Sequence, residues 1–231
     1  MGIRTAFAAS ALLACAAASA PALAGETVEI GVIKNSDLSV VQKLLYPKTG
    51  ETEVAILAGW MPFDPLVTTP NLQIGINQHL SESASISVQV GGGYGLKTAR
   101  YTELEGPAYG VAPYAFRYLA SALVGAEWAP IYAKMRLGPK TIVHHDVYGA
   151  ARLGASLEQS VIPGGGLTVA PTVQLGIGAR FFAKPGLAVR FEVNDALIVE
   201  NRKLTDDWHF KQNAGVQLGV SVFPGVGKEG R

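Results

Sequence analysis

The stretch TVQLGIGARFF, residues 172–182, puts Val173, Leu175, Ile177, Ala179 and Phe181 on one set of alternate positions and Thr172, Gln174, Gly176, Gly178, Arg180 and Phe182 on the other. Successive side chains of an extended chain point to opposite sides, so this is a strand with one oily face and one polar or bare face. The pattern recurs along the chain. Val54, Ile56, Ala58 and Trp60 oppose Glu53, Ala55, Leu57 and Gly59, and Leu72, Ile74 and Ile76 oppose Gln73, Gly75, Asn77 and His79. Ile86, Val88, Val90, Gly92, Tyr94 and Leu96 oppose Ser87, Gln89, Gly91, Gly93 and Gly95, and further copies run over 117–128, 142–155, 187–194 and 214–222. The count is eight strands, with no amphipathic helix among them.

The connections alternate in length. Tight turns surround Ser81 and Ala183-Lys184-Pro185-Gly186, whereas 61–70, 97–116, 156–170 and 200–211 read as long loops at the opposite end. The stretch APIYAKMRLGPKT (129–141) is longer than a turn and reads either as extended strands with a turn or as a small extra hairpin.

In the 231-residue chain only 16% of residues are charged, net charge is +1 and there are 27 glycines. Soluble domains carry about a quarter charged residues and about 7% glycine. The charge balance gives no basis for a nucleic-acid footprint or a long-range steering field. Residues 1–24 read as an export signal: Arg4, an apolar run from Thr5 to Ala20, and Ala22-Leu23-Ala24 before Gly25. An uncleaved anchor, and lipoprotein processing at Cys15, are the rival readings. With cleavage after Ala24 the mature chain has no cysteine, because Cys15 is the only one. Residues 25–50 then form a periplasmic segment, 51–224 the barrel and 225–231 a periplasmic tail.

Two architectures share eight alternating antiparallel strands: a soluble lipocalin-like carrier, oily inside, and a transmembrane barrel, oily outside. The polar face carries Glu53, Glu127, Asp146, Arg152, Arg180, Arg190 and Glu192 among many Gly, Ser and Gln. Glycine weakens a solvated strand, but inside a narrow barrel small residues leave room for a few large charged ones that neutralise one another away from lipid. Aromatic residues near strand ends suggest two belts, Trp60, Tyr94 and Tyr118 beside the long loops and Trp128, Phe181 or Phe182, and Phe223 beside the turns. The expected fold is therefore all-β, an eight-stranded antiparallel up-and-down transmembrane β-barrel in the outer membrane of a Gram-negative bacterium. Its interior is expected to be plugged by the seven charged residues.

The stretches VVQKLLYPKTGETEV (40–54), TTPNLQIGI (68–76), VGGGYG (90–95), APYAFRYLASA (112–122), EWAPIYAK (127–134), HHDVYGAA (144–151), GIGARFF (176–182) and LAVRFEVND (187–195) carry a resemblance over about 38–224. In their order and spacing, they resemble the outer-membrane β-barrel domain family of myxobacteria and related deltaproteobacteria. The resemblance implies a small eight-stranded barrel with periplasmic termini, inserted by the outer-membrane barrel insertion machinery. Some members resemble barrels associated with gliding-motility complexes. Members carry an aromatic residue where this chain has His145, and PGVGKEGR follows Phe223 where many barrels stop.

Residue by residue, the chemistry is sparse. His144 and His145 point to opposite faces, so they cannot share a metal ion, and an interior His144 bonded to Asp146 or Tyr148 is the expectation. His79 and Ser81 share a face, the one feature that suggests a lipid-modifying enzyme, but at the short-turn end. GGGYG (91–95) falls within a strand, a geometric use rather than a cofactor cradle. The chain is expected to use no metal, no cofactor and no nucleic acid, to contact outer-membrane lipid, and to act non-enzymatically. An envelope protein partner is expected at the long loops through Tyr101, Tyr109, Tyr114 and Trp208.

Overall fold

The structure, a computed structural model, describes residues 46–137, 141–162, 164–202 and 207–225. The expected export signal, the segment up to residue 45 and the tail beyond Gly225 lie outside the described residues. In chain order the strands are β1 Thr52–Met61, β2 Val67–His79, β3 Ala84–Gly93, β4 Leu96–Lys97, β5 Phe116–Leu137, β6 Thr141–Ser160, β7 Leu167–Lys184, β8 Leu187–Arg202 and β9 Asp207–Val222. Eight of them form a closed antiparallel ring, because β1 pairs with both β2 and β9; the two-residue β4 only caps the end of β2.

The register fixes the shape of the cylinder. Following paired neighbours from Ala84 through Trp128, Gly149, Ile177, Val193, Val216, Trp60 and Pro70 leads back to β3 at Tyr94, ten residues further along. That offset over eight strands tilts them by about 40° and leaves a lumen that side chains fill. Each residue then climbs about 2.5 Å along the axis, so the ten-residue rise spans roughly 25 Å, the height of an apolar membrane band.

The outside of the cylinder is the oily side. Ile56, Val88, Leu175, Ile177, Val193 and Leu218 are exposed, while Arg180, Arg190, Gln174 and Gln217 on the alternate positions are buried. This is the polarity of a membrane-spanning barrel and the reverse of a lipocalin-like carrier. In lipid, ring closure matters because an open edge would leave backbone groups unpaired. Trp60 and Tyr94 stand exposed near one rim and Trp128 near the other, with half-buried Phe181 at the same end.

Several sequence expectations are corrected. Tyr118 is buried in the lumen, where its hydroxyl lies 2.7 Å from Ser121 Oγ, because a bulge between Tyr118 and Ala120 resets the alternation. Phe223 is also interior, packed with Phe182 and Ala188, since it continues the inward set Gln217, Gly219 and Ser221. The loops expected at 61–70, 156–170 and 200–211 are partly strand: β2 begins at Val67, β6 runs to Ser160 and β7 begins at Leu167, β8 runs to Arg202 and β9 begins at Asp207, because the strands continue past the membrane band. Of the 129–141 stretch the described residues are strand: β5 runs to Leu137 and β6 starts at Thr141, and the two run on together beyond the rim.

A short helix, α1 (Ala99–Glu105), lies in the long loop where none was expected, with Thr98 capping it by accepting from Tyr101 N–H. Tyr101 is not a loop contact. It is buried against Val67 and Ala115 at the barrel mouth.

The oily-outside polarity has a depth signature. Val193→Arg, at the middle of the band, is expected to lower unfolding stability in lipid vesicles by about 2–4 kcal/mol, whereas Val222→Arg at the rim costs about 0–1 kcal/mol. Equal costs measured by urea titration would contradict this depth assignment.

Candidate functional site

The seven interior charges predicted from alternation converge into one network. Glu53 accepts from Arg180 Nη1 at 2.6 Å and from Arg190 Nη1 at 3.0 Å. Glu127 accepts from Arg152 and Arg190, each at 2.8 Å. Glu192 takes both terminal nitrogens of Arg152, at 2.7 and 3.1 Å, together with the Tyr148 hydroxyl at 2.9 Å. Asp146 accepts from Arg180 Nε at 2.9 Å. These residues come from β1, β5, β6, β7 and β8, so the network crosses the lumen and ties opposite walls together.

Four carboxylates against three guanidiniums leave one negative charge over. Lys48, in the segment before β1, supplies the missing cation: its Nζ lies 2.5 Å from Asp146 Oδ2 and the side chain is buried. The approach is clamped from outside the lumen, where the backbone N–H groups of Lys48 and Thr49 and the Thr49 hydroxyl all donate to Glu82 in the β2–β3 turn. Burial pushes the Lys48 ammonium below its ordinary pKa, and the adjacent Asp146 charge opposes that shift. Tyr46 stacks on Phe182 at 5.1 Å and meets His144 edge-on, so Tyr46, Phe182, Phe223 and Tyr132 form an aromatic lid across this mouth.

Tyr148 is the organising side chain of the middle layer. Its ring lies 4.7 Å from both Arg180 and Arg190, and its hydroxyl accepts from Arg190 Nε while donating to Glu192. The ring fits because its neighbour on β7 is Gly178: a Cβ there would meet the Tyr148 ring at 2.3 Å. An interior void beside Gln73, Ser156 and Gln174 measures about 10 Å³, room for a single water.

A second charged group occupies the other mouth. Lys211 Nζ lies 3.1 Å from Asp64, 3.5 Å from Glu200 and 3.7 Å from Glu158, and donates to the Phe116 carbonyl at 3.3 Å. Extending the alternation would have found Glu158 and Glu200, which continue the inward sets of Arg152 and Glu192. Both fall in stretches expected as loops, 156–170 and 200–211, and are strand residues instead.

The other candidates separate. His144 bonds neither Asp146 nor Tyr148; its Nδ1 shares a hydrogen bond of 3.0 Å with the Tyr132 hydroxyl, and His145, on the opposite face, stacks on Phe181. His79 Nε2 lies 3.1 Å from Glu53, whereas Ser81 Oγ accepts from the N–H groups of Ser83 and Ala84 in the turn. The two are used separately, not as a pair. Tyr109 and Trp208 are exposed at the loop end, while Tyr114 is half-buried edge-on to Phe116.

If Lys48 is the neutralising cation, a double-mutant cycle detects it. Lys48→Met and Asp146→Asn are each expected to cost about 3–5 kcal/mol. The double variant should recover part of that, with a coupling of about 0.5–3 kcal/mol in urea unfolding. Strict additivity would remove Lys48 from the network.

No family model matches the chain, and no curated protein matches it. Among solved structures it is similar to a de novo designed transmembrane β-barrel, at 15% identity over 77% of this chain and 98% of that one, with a TM-score of 0.36. Neisserial surface protein A matches at 10% identity over 75% of this chain and 94% of that one, TM-score 0.46. Ail, the attachment invasion locus protein of Yersinia pestis, matches at 12% identity over 75% and 98%, TM-score 0.38.

Proposed function

We propose that this chain is a small outer-membrane β-barrel protein with a sealed interior, exported by its N-terminal signal and inserted by the outer-membrane barrel machinery. It acts as a structural or interaction protein of the cell envelope, not as an enzyme or a pore. The observation that carries the reading is the crossed lumen: among the described residues a salt-bridged layer, an aromatic lid and a docked Lys48 span it from wall to wall. With the interior closed, contact chemistry falls to the rims.

At the loop end Tyr109 and Trp208 are exposed aromatic side chains, the residue type enriched where proteins meet. Membership of the myxobacterial barrel family, and a place in an envelope or motility complex, are consistent with the sequence resemblance and with this architecture.

The protein should fractionate with outer membranes and require detergent for release, and in planar bilayers it should give no steady conductance. The double variant Tyr109→Ala/Trp208→Ala should keep heat-modifiable gel mobility and lose capture of any envelope partner. Release into the periplasmic fraction without detergent, or a sustained ohmic current, would overturn the proposal.

A further inference from the structure

On the side of the short turns, β5 and β6 leave the barrel as a two-stranded ribbon. The last β3 partner of β5 is Trp128, paired with Ala84, and the last β7 partner of β6 is His144, paired with Phe182. From Ile131 to Lys134 β5 is an open edge on a β6 that still pairs with β7, and from Met135↔Val143 to Leu137↔Thr141 the two strands pair only with each other. An isolated two-stranded ribbon is marginal in water, and this one carries large exposed apolar groups. Ile131, Met135 and Leu137 are 53%, 41% and 60% exposed and lie on the same face. That face continues the outward row of Val124, Ala126 and Trp128.

The opposite face is accounted for at its base. Tyr132 packs against Phe182 and shares a hydrogen bond with His144, which pins the ribbon under the aromatic lid. Further out this face carries Lys134 and Arg136, with Ile142 exposed beside the tip.

We propose that the outer face of this ribbon lies on the periplasmic leaflet of the membrane, with Ile131, Met135 and Leu137 against phospholipid and the long stems of Lys134 and Arg136 reaching back to headgroup phosphates. The inference rests on the membrane-barrel reading and extends it. Continuity decides the occupant: the apolar row runs without a break from the lipid-facing wall past the Trp128 rim. A partner strand added to the open edge is disfavoured, because lysine on an exposed edge blocks such pairing.

The geometry also sets a condition. A straight ribbon would drop Leu137 about 15 Å below Ile131, deeper than an interfacial layer of roughly 5–8 Å. The ribbon must therefore bend toward the membrane. The means is at the rim, where the register shifts between Trp128 and Ile131 around Pro130, and a bulge bends the strand that carries it. Proline has no N–H to give the ladder and is tolerated at such a point.

The test uses the full chain in vesicles of phosphatidylethanolamine and phosphatidylglycerol. Spin labels are placed at Met135→Cys, Leu137→Cys and Arg136→Cys in a Cys15→Ser background, and collisions with oxygen are compared with collisions with a water-soluble nickel chelate. Labels at 135 and 137 should favour oxygen and the label at 136 should favour nickel. Nickel-favouring collisions at all three would stand the ribbon in the periplasm and overturn the proposal. Spin–spin broadening at 137 would overturn it too, by showing a second copy on that face.

A lipid-borne photoactivated carbene on the wild-type protein gives an independent reading. Modification of Leu175 and Val193 reports the barrel wall, so loss there refutes the membrane reading. Modification of the wall with Met135 and Leu137 spared refutes only the ribbon contact.

Discussion

A cylinder wrapped in hydrocarbon must neutralise whatever charge it encloses, and the rest of this structure follows from that constraint. Removing one partner of a buried ion pair leaves an uncompensated charge and costs roughly 3–5 kcal/mol, so the layer within the membrane band is built without surplus. Four carboxylates recruit three guanidiniums from the facing walls and a fourth cation from outside the barrel strands. Lys48 is therefore part of the barrel in energetic terms although it precedes β1. Its docking brings Tyr46 onto Phe182 and closes the mouth, so electrostatic balance and sealing are achieved by the same few residues.

Packing three arginines into so narrow a space brings like charges together, and Tyr148 separates the problem into attractive contacts. Arg180 and Arg190 each lie over its ring, where the negative π face favours a cation, while the phenol hydroxyl links Arg190 to Glu192. That arrangement needs a bare backbone beside the ring. Gly178, which in the sequence is only one of many glycines, is the position that provides it. The glycine-rich polar faces are thus the negative of the large side chains opposite them, which is why high glycine content and buried charge occur together here.

Alternation made the strands, the oily exterior and all seven interior charges legible, because a period of two is read directly from residue order. It failed where the period itself breaks. Counting back in twos from Trp128 puts Tyr118 outside; the bulge after Tyr118 turns it inside, and nothing in YLASA announces that bulge. Phe223 was misplaced for a different reason. It was read by its height on the barrel rather than by its face, although Val222 outward already implied Phe223 inward. Lys48 lies in no alternating segment, so its only trace in the sequence was the unbalanced count of acids and bases. Tyr101 needed the fold of α1 onto Val67 and Ala115, a contact between distant parts of the chain that no local pattern records.

The two mouths are built on unequal terms. At the turn end one ammonium meets one carboxylate in a close pair, clamped by three donors to Glu82 and covered by aromatic rings. At the loop end a single ammonium, Lys211, is spread over three carboxylates, nearest to Asp64 at 3.1 Å and further from Glu200 and Glu158 at 3.5 and 3.7 Å. A cation shared among three acids holds each more weakly than a dedicated pair would, since Coulomb attraction falls with distance and its geometry cannot be optimal for all. The tightly closed end therefore holds Tyr46, Lys48 and Thr49, and the looser, more acidic end lies on the side of the long loop and its exposed Tyr109.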